Sequence, residues 1–136
     1  MDQTYKTARC ILYRRDEYLL AVHSSFWGHN RRRWGIPGGQ IERGESPEIA
    51  VQRELEEELS VQVPELIEVG AFAYKKSLHM VFAAELTRNI DNYDNRELLA
   101  IKWFHEEDVV ALMQGNALHT NYELKAIRAL KQILEN

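Results

Sequence analysis

GQIERGESPEIAVQRELEEELSV, residues 39–61, is the stretch on which the reading of this chain turns. Ser46-Pro47 marks a helix start, with serine as N-cap and proline at the first helical position. Val51, Leu55 and Leu59 then recur at helical spacing as one apolar stripe, which predicts a helix from Pro47 to about Ser60. Its last two turns carry Glu54, Glu56, Glu57 and Glu58. That is the wrong end for acids, because a helix C-terminus carries partial negative charge. Like charges three and four residues apart also repel. Glu54, Glu57 and Glu58 share one face, turned away from the Leu55 stripe. Such a run is often no more than a solvated acidic face. It is also a local rule broken without local compensation, which is where a functional site is expected. A divalent cation would supply the compensation: Mg²⁺ and Mn²⁺ prefer hard oxygen ligands, and three carboxylates on one face can share one or two ions. The cluster carries no matching His or Cys, which argues against zinc.

Outward from this helix the chain reads as alternating strands and helices. Before it, Thr7–Tyr13 and Tyr18–His23 read as a hairpin about the charged turn Arg14-Arg15-Asp16-Glu17. Ser24–Arg33 follows as a polar loop, and Pro37-Gly38-Gly39 as a turn. After it, Leu66–Tyr74, His79–Leu86 and Leu98–Phe104 read as strands, and Glu106–Met113 as a short helix. Thr120-Asn121-Tyr122-Glu123 matches a capping box opening a last amphipathic helix, with Leu124, Ile127, Leu130 and Leu134 inward. The order suggests a mixed sheet with helices packed on it, an α/β fold.

Composition bounds the function. The 136 residues are near the common size of one domain, and 45% hydrophobic with 28% charged residues is ordinary for a globular protein. A formal net charge of −4 argues against a general nucleic-acid binder, without excluding a small phosphorylated ligand held by local cations. The single cysteine, Cys10, lies in an apolar stretch and reads as core; with no disulfide possible within the chain, a reducing compartment fits best. There is no apolar signal core at the N-terminus and no apolar run of membrane-spanning length, so the expectation is a cytoplasmic protein with no membrane partner.

From Gly39 the spacing is glycine, five residues, Glu45, seven residues, then Arg53-Glu54-Leu55-Glu56-Glu57-Glu58-Leu59-Ser60-Val61. This resembles the Nudix box of MutT-type hydrolases. Chance agreement at its six fixed positions is roughly one in ten million per starting point. Trp34-Gly35-Ile36-Pro37-Gly38-Gly39 is similar to the family's lead-in. One place departs: the box's final glycine is Ser60, at a site suited to a left-handed helix C-cap. The resemblance implies a Nudix-type α/β/α sandwich over residues 1–136 as a single domain, with the box at 39–61.

The resemblance also implies roles. Glu54, Glu57 and Glu58 would bind Mg²⁺ or Mn²⁺, the Gly38 carbonyl would complete the shell, and Glu54 is the preferred general base over Glu57. Arg53 and Glu45 would form an ion pair holding the loop to the helix, since the planar guanidinium grips a carboxylate with two hydrogen bonds. A further acid often joins from a loop outside the box. Its usual place, three residues before Trp103, is Ala100 here, which leaves Glu97 as a metal or base candidate or as a solvated loop acid. Arg31 and Arg33, with Arg32 between them, could reach distal phosphates or form a solvated basic loop. Trp27 and His29 could stack on a base or be structural, and His119 and Tyr122 could border the pocket. The implied activity is hydrolysis of a phosphoanhydride in a small nucleotide, foremost a nucleoside triphosphate. A nucleotide sugar or other diphosphate ester, or a Nudix-fold binding module without catalysis, are the alternatives. The chain would act as a monomer or homodimer.

Overall fold

Side-chain alternation along the apolar strands builds two cores on one sheet. The computed structural model describes residues 4–25, 27–28 and 31–136. The elements are β1 (Thr7–Arg14), β2 (Glu17–His23), β3 (Trp27–Gly28), β4 (Arg31–Arg32), β5 (Gly38–Gln40), α1 (Pro47–Leu59), β6 (Ile67–Tyr74), β7 (Ser77–Glu85), β8 (Leu98–His105), α2 (Glu106–Gln114) and α3 (Glu123–Glu135). Ala8, Cys10 and Leu12 of β1 join Leu19 and Ala21 of β2 and Met80, Phe82 and Ala84 of β7 in one buried cluster with Val51, Leu55 and Leu59 of α1. Their neighbours Ile11, Leu20, Val81 and Ala83 face the other way, into a second cluster with Val109 of α2 and Ile127 and Leu130 of α3. Helices therefore cover both faces, an α/β/α sandwich, and the central strands read as near-continuous apolar runs because neither face meets water.

The sheet is mixed. Its order is β6-β7-β1-β2-β8, with β5 on β1. β1 and β7 are parallel, and β1–β2, β2–β8 and β6–β7 are antiparallel. β7 occupies one edge of β1 from Thr7 to Tyr13, so β2 and β5 share the other edge. Tyr13 and Arg14 pair with β2, whereas Thr7, Ala8 and Arg9 pair with Gln40, Gly39 and Gly38. The Gly38-Gly39 segment thus enters the sheet where β2 has left it, directly beside α1.

Several expectations are corrected. Pro37-Gly38-Gly39 is not a free turn, because Gly38–Gln40 is a strand on β1. Gly38 has φ 143°, and a Cβ there would meet the Ala8 carbonyl oxygen at 2.3 Å, so only glycine lies this close to the neighbouring strand. The polar loop after β2 contains the short ribbon β3–β4. The capping box is half formed. Glu123 accepts from the Thr120 N–H at 3.0 Å, but the Thr120 hydroxyl accepts from the Tyr122 N–H, and α3 begins later than the motif implied. Leu134, expected inward, is exposed in the final turn of α3. Among the described residues no helix is long and apolar enough to cross a membrane.

Candidate active site

The loop before α1 is fastened to it by one arginine. Arg53 Nε donates to Glu45 Oε2 at 2.7 Å and Nη2 to Glu45 Oε1 at 2.9 Å, a two-pronged grip. Nη2 also donates to the Gln40 carbonyl at 3.1 Å, tying in the end of β5. The Glu45 carboxylate accepts from the Glu42 N–H as well. Arg53 foremost, with this backbone bond, holds the Glu45 carboxyl down to about 2. Ser46 caps the helix below, its hydroxyl accepting from the Ile49 N–H at 3.2 Å. Ser60, where the box has glycine, takes the left-handed conformation (φ 55°, ψ 40°) and closes α1 through its N–H to the Glu56 carbonyl.

Glu54 lies under the glycine turn. A Cβ on Gly39 would sit 2.6 Å from its carboxylate, so the missing side chain is what lets the β5 backbone close over it. Burial, then repulsion from Glu58, pushes the Glu54 carboxyl up to about 6 against the pull of Arg53, whose Nη1 donates to it at 3.1 Å. Glu58 is 1% exposed, and neither carboxylate oxygen has a hydrogen-bond donor in good geometry. Burying a carboxylate this way is costly unless a charge partner supplies what water did. Glu57 behaves differently: it is exposed and rests on Arg53 Nη1 at 3.3 Å, an i,i+4 pair.

The partner of Glu58 comes from β2. His23 Nε2 is 3.1 Å from Glu58 Oε2 and 3.6 Å from Glu97 Oε2. The Glu58 contact foremost raises the His23 pKa, with burial opposing. Two backbone bonds bring these positions together: Ser24 N–H to the Glu97 carbonyl at 2.7 Å, and Asp94 N–H to the Glu58 carbonyl at 2.9 Å. A bulge completes the arrangement, because β2 pairs Val22 with Ala100 but His23 with Leu98. Bulges re-aim side chains in this way near functional sites. Ala100 sits in the ladder, whereas Glu97, just past the bulge, reaches His23. One donor atom each from His23, Glu58 and Glu97 lie within 4.8 Å of one another, a spacing that could hold a cation.

From Glu54 and Glu97 a cleft of about 600 Å³ runs past Gly38 and Gly39 to Tyr74, His79, His119 and Tyr122. The far end is ordered by neutral imidazoles. The Thr7 hydroxyl lies 2.7 Å from His79 Nδ1, and His79 Nε2 donates to the Tyr74 carbonyl at 3.3 Å. Burial depresses the His79 pKa, and burial with the Arg9 charge takes His119 down to about 3. His79 stacks on Tyr122 with ring centroids 5.7 Å apart. Lys6, Arg9 and Lys75 also line the cleft.

The structure therefore gathers Glu54, Glu58 and Glu97, binds Glu45 to Arg53, and sets Gly38 at the cleft wall. Arg33 is absent from the lining, and its Nη1 donates to the Leu118 carbonyl at 3.4 Å. The side chains of Trp27 and Arg31, and His29 as a whole, lie outside the described residues. His119 and Tyr122 do border the cleft, joined by His79 and Tyr74. Sequence reasoning missed His23. It is 35 and 74 residues from its partners, and its one local sign is a polar residue closing an apolar strand.

Comparison with known proteins places the chain in a family. The family described as NUDIX domain matches residues 4–125. The mouse (Mus musculus) diphosphoinositol polyphosphate phosphohydrolase 3-alpha is 30% identical over 125 residues, covering 86% of this chain and 74% of that protein. The NAD-capped RNA hydrolase NudC of Photorhabdus laumondii is 29% identical over 118 residues, covering 82% of this chain and 44% of its own. The chain thus spans less than half the length of bacterial relatives it matches. In fold it is similar to the NUDIX domain of Shewanella oneidensis NrtR, solved with ADP ribose, at a TM-score of 0.73 and 19% identity over 98% of this chain and 90% of that one. With the family matching nearly the whole chain, this protein belongs to the NUDIX domain family.

Proposed function

We propose that this protein is a divalent-cation-dependent hydrolase of phosphoanhydride bonds, and that a nucleoside triphosphate is the substrate its site suits best. The observation that carries this reading is the placement of Glu54 and Glu97 on one cleft with Tyr74, His79 and Tyr122, with the buried Glu58 next to both, repelling Glu54 and sharing His23 with Glu97. Buried carboxylate oxygens without donors, and a carboxyl raised by burial and then by Glu58, are what a hard cation such as Mg²⁺ or Mn²⁺ would relieve. When bound, such a cation neutralises the phosphate oxygens and acidifies water.

The chain's own groups have separate tasks. Glu54, Glu58, Glu97 and the Gly38 carbonyl would hold the cation, with Glu57 able to join them only by leaving Arg53. Glu54, beside the cleft, would also take the proton of the attacking water. Arg53 and Glu45 act as positioning residues that keep the glycine turn on the helix. Tyr74, half-buried at the cleft, offers a ring face to a base, and Tyr122 backs the wall from beneath, stacked between Phe72 and His79. A non-catalytic binding module has little need to keep repelling carboxylates together, so the enzyme reading is preferred. A second substrate class has one observation in its favour. Lys6, Arg9 and Lys75 line the same cleft, as a diphosphate on a polyanionic carrier would require, and the mouse relative is named for such a compound.

The test is product release from nucleoside triphosphates, nucleotide sugars and diphosphorylated polyols, with Mg²⁺ and with a chelator. Chelator-sensitive release of pyrophosphate from triphosphates is the expected result, and Glu54→Gln should lower kcat by about 10²-fold or more. Orthophosphate from a diphosphorylated polyol selects the second class, and two monophosphates from a nucleotide sugar select a diphosphate ester. No turnover of any member at saturating metal would sink the enzyme reading.

A further inference from the structure

We propose that His23 is a nitrogen ligand of the cation site, making it a mixed imidazole–carboxylate centre that prefers Mn²⁺ or a similar transition ion over Mg²⁺. The inference rests on the cation-dependent reading above and adds a donor that the box does not contain.

The geometry is that of neighbouring ligands on one ion. Two donors at right angles on a cation with bonds of about 2.1 Å lie about 3 Å apart. His23 Nε2 is 3.1 Å from Glu58 Oε2 and 3.6 Å from Glu97 Oε2. An imidazole and two carboxylates can thus close on a shared ion with small side-chain movements. A second observation is independent of these distances: Glu58 is 1% exposed, and neither of its oxygens has a hydrogen-bond donor in good geometry. A carboxylate buried so deeply beside an imidazole would be completed by a cation lying between the two.

The ring's other nitrogen is already supported. Nδ1 accepts from the Ser25 N–H at 3.0 Å and lies 2.7 Å from the Ser25 hydroxyl. In this arrangement Nε2 carries the ring proton and directs it at Glu58. With a cation on Nε2 the ring proton resides on Nδ1, and the Ser25 hydroxyl accepts it. Ser25 is exposed, so water can take over its N–H. Metal-bound histidines commonly use their second nitrogen in this way. The backbone places all three donors together. His23 closes β2, Glu97 follows the bulge opposite it, and Asp94 N–H ties the same connection to the Glu58 carbonyl. Imidazole is a poor ligand for Mg²⁺ and a good one for the later divalent ions, so this donor shifts the site's selectivity.

The experiment uses the full chain and Mn²⁺ as the probe. Pulsed EPR of the Mn²⁺-loaded wild type should show coupling to an imidazole nitrogen, and His23→Gln should abolish it. Competition binding should show the preference for Mn²⁺ over Mg²⁺ falling about tenfold or more in the variant. Bound Mn²⁺ without nitrogen coupling in the wild type overturns the assignment while leaving the hydrolase reading intact, and that result needs no variant to fold. Coupling that survives in His23→Gln overturns it as well, by placing another histidine on the ion. Failure of the wild type to bind Mn²⁺ at all overturns both this assignment and the cation-dependent reading beneath it.

Discussion

Gly38 and Gly39 are adjacent, yet they are needed for different reasons. At Gly38 the obstacle is backbone: φ is 143°, and a Cβ would meet the Ala8 carbonyl oxygen at 2.3 Å and the Arg9 Cα at 2.6 Å. At Gly39 it is the end of a flexible side chain, the Glu54 carboxylate. Gly38→Ala should therefore cost the fold about 2 kcal/mol or more, because strand and strain move together. Gly39→Ala should leave unfolding nearly unchanged while displacing Glu54 and lowering turnover. Denaturant unfolding and turnover of the two variants, measured side by side, check this; equal loss of stability would refute the distinction. The motif spacing singled out both glycines, but which contact each one permits depends on β5 lying on β1, a pairing that a Pro-Gly-Gly turn signal conceals.

At the scale of the element, α1 answers its misplaced charge with an arginine rather than with a basic last turn. Arg53 reaches Glu45, Glu54 and Glu57 within 3.3 Å, so the acids before and along the helix share one cation. The helix exit is less well served. Ser60 holds φ 55°, a conformation with a steric cost for any residue bearing a Cβ. Ser60→Gly should stabilise the protein by about 1 kcal/mol, read as a shift of the urea midpoint at constant slope. No change or a loss would mean that the serine hydroxyl offsets the strain. The helix and its cap were legible from 46–60, because capping and the apolar stripe act within one turn; the exit was not, because a serine at the glycine place left its conformation open until the structure showed it left-handed. The start of α3 was not. Thr120 and Glu123 supply the residues of a capping box, but Tyr122, buried among Phe72 and His79, holds the backbone back from helix until Glu123.

The whole molecule shows in the pH response. His119 is half-buried at the junction of the sheet and the segment before α3, and its pKa falls from 6.5 to about 3, through burial first and the Arg9 charge second. A base whose folded pKa is depressed is protonated more readily in the unfolded chain. Its effect on stability is absent above the unfolded value of 6.5 and grows as pH falls toward 3, where the unfolded state binds the extra proton. Acidification across that window should therefore destabilise the wild type more steeply than His119→Asn. Chemical unfolding of both proteins from pH 8 to pH 4, analysed as the difference between them, isolates this residue. Parallel curves would show that the imidazole is not held neutral by the fold.

Residues 39–61 by themselves determined the helix, its acidic face and the family resemblance, and alternation in the flanking segments determined a sheet buried on both faces. These follow from spacing along the chain, through forces that reach one helical turn or one strand neighbour. Only the tertiary structure decided which acids meet. It turned Glu57 out onto Arg53, buried Glu58, moved the loop acid from the ladder position of Ala100 to Glu97 through a bulge, and set His23 between them. Those positions are far apart in sequence, and the backbone bonds that join them, Ser24 to Glu97 and Asp94 to Glu58, exist only once strand, helix and connection have packed together.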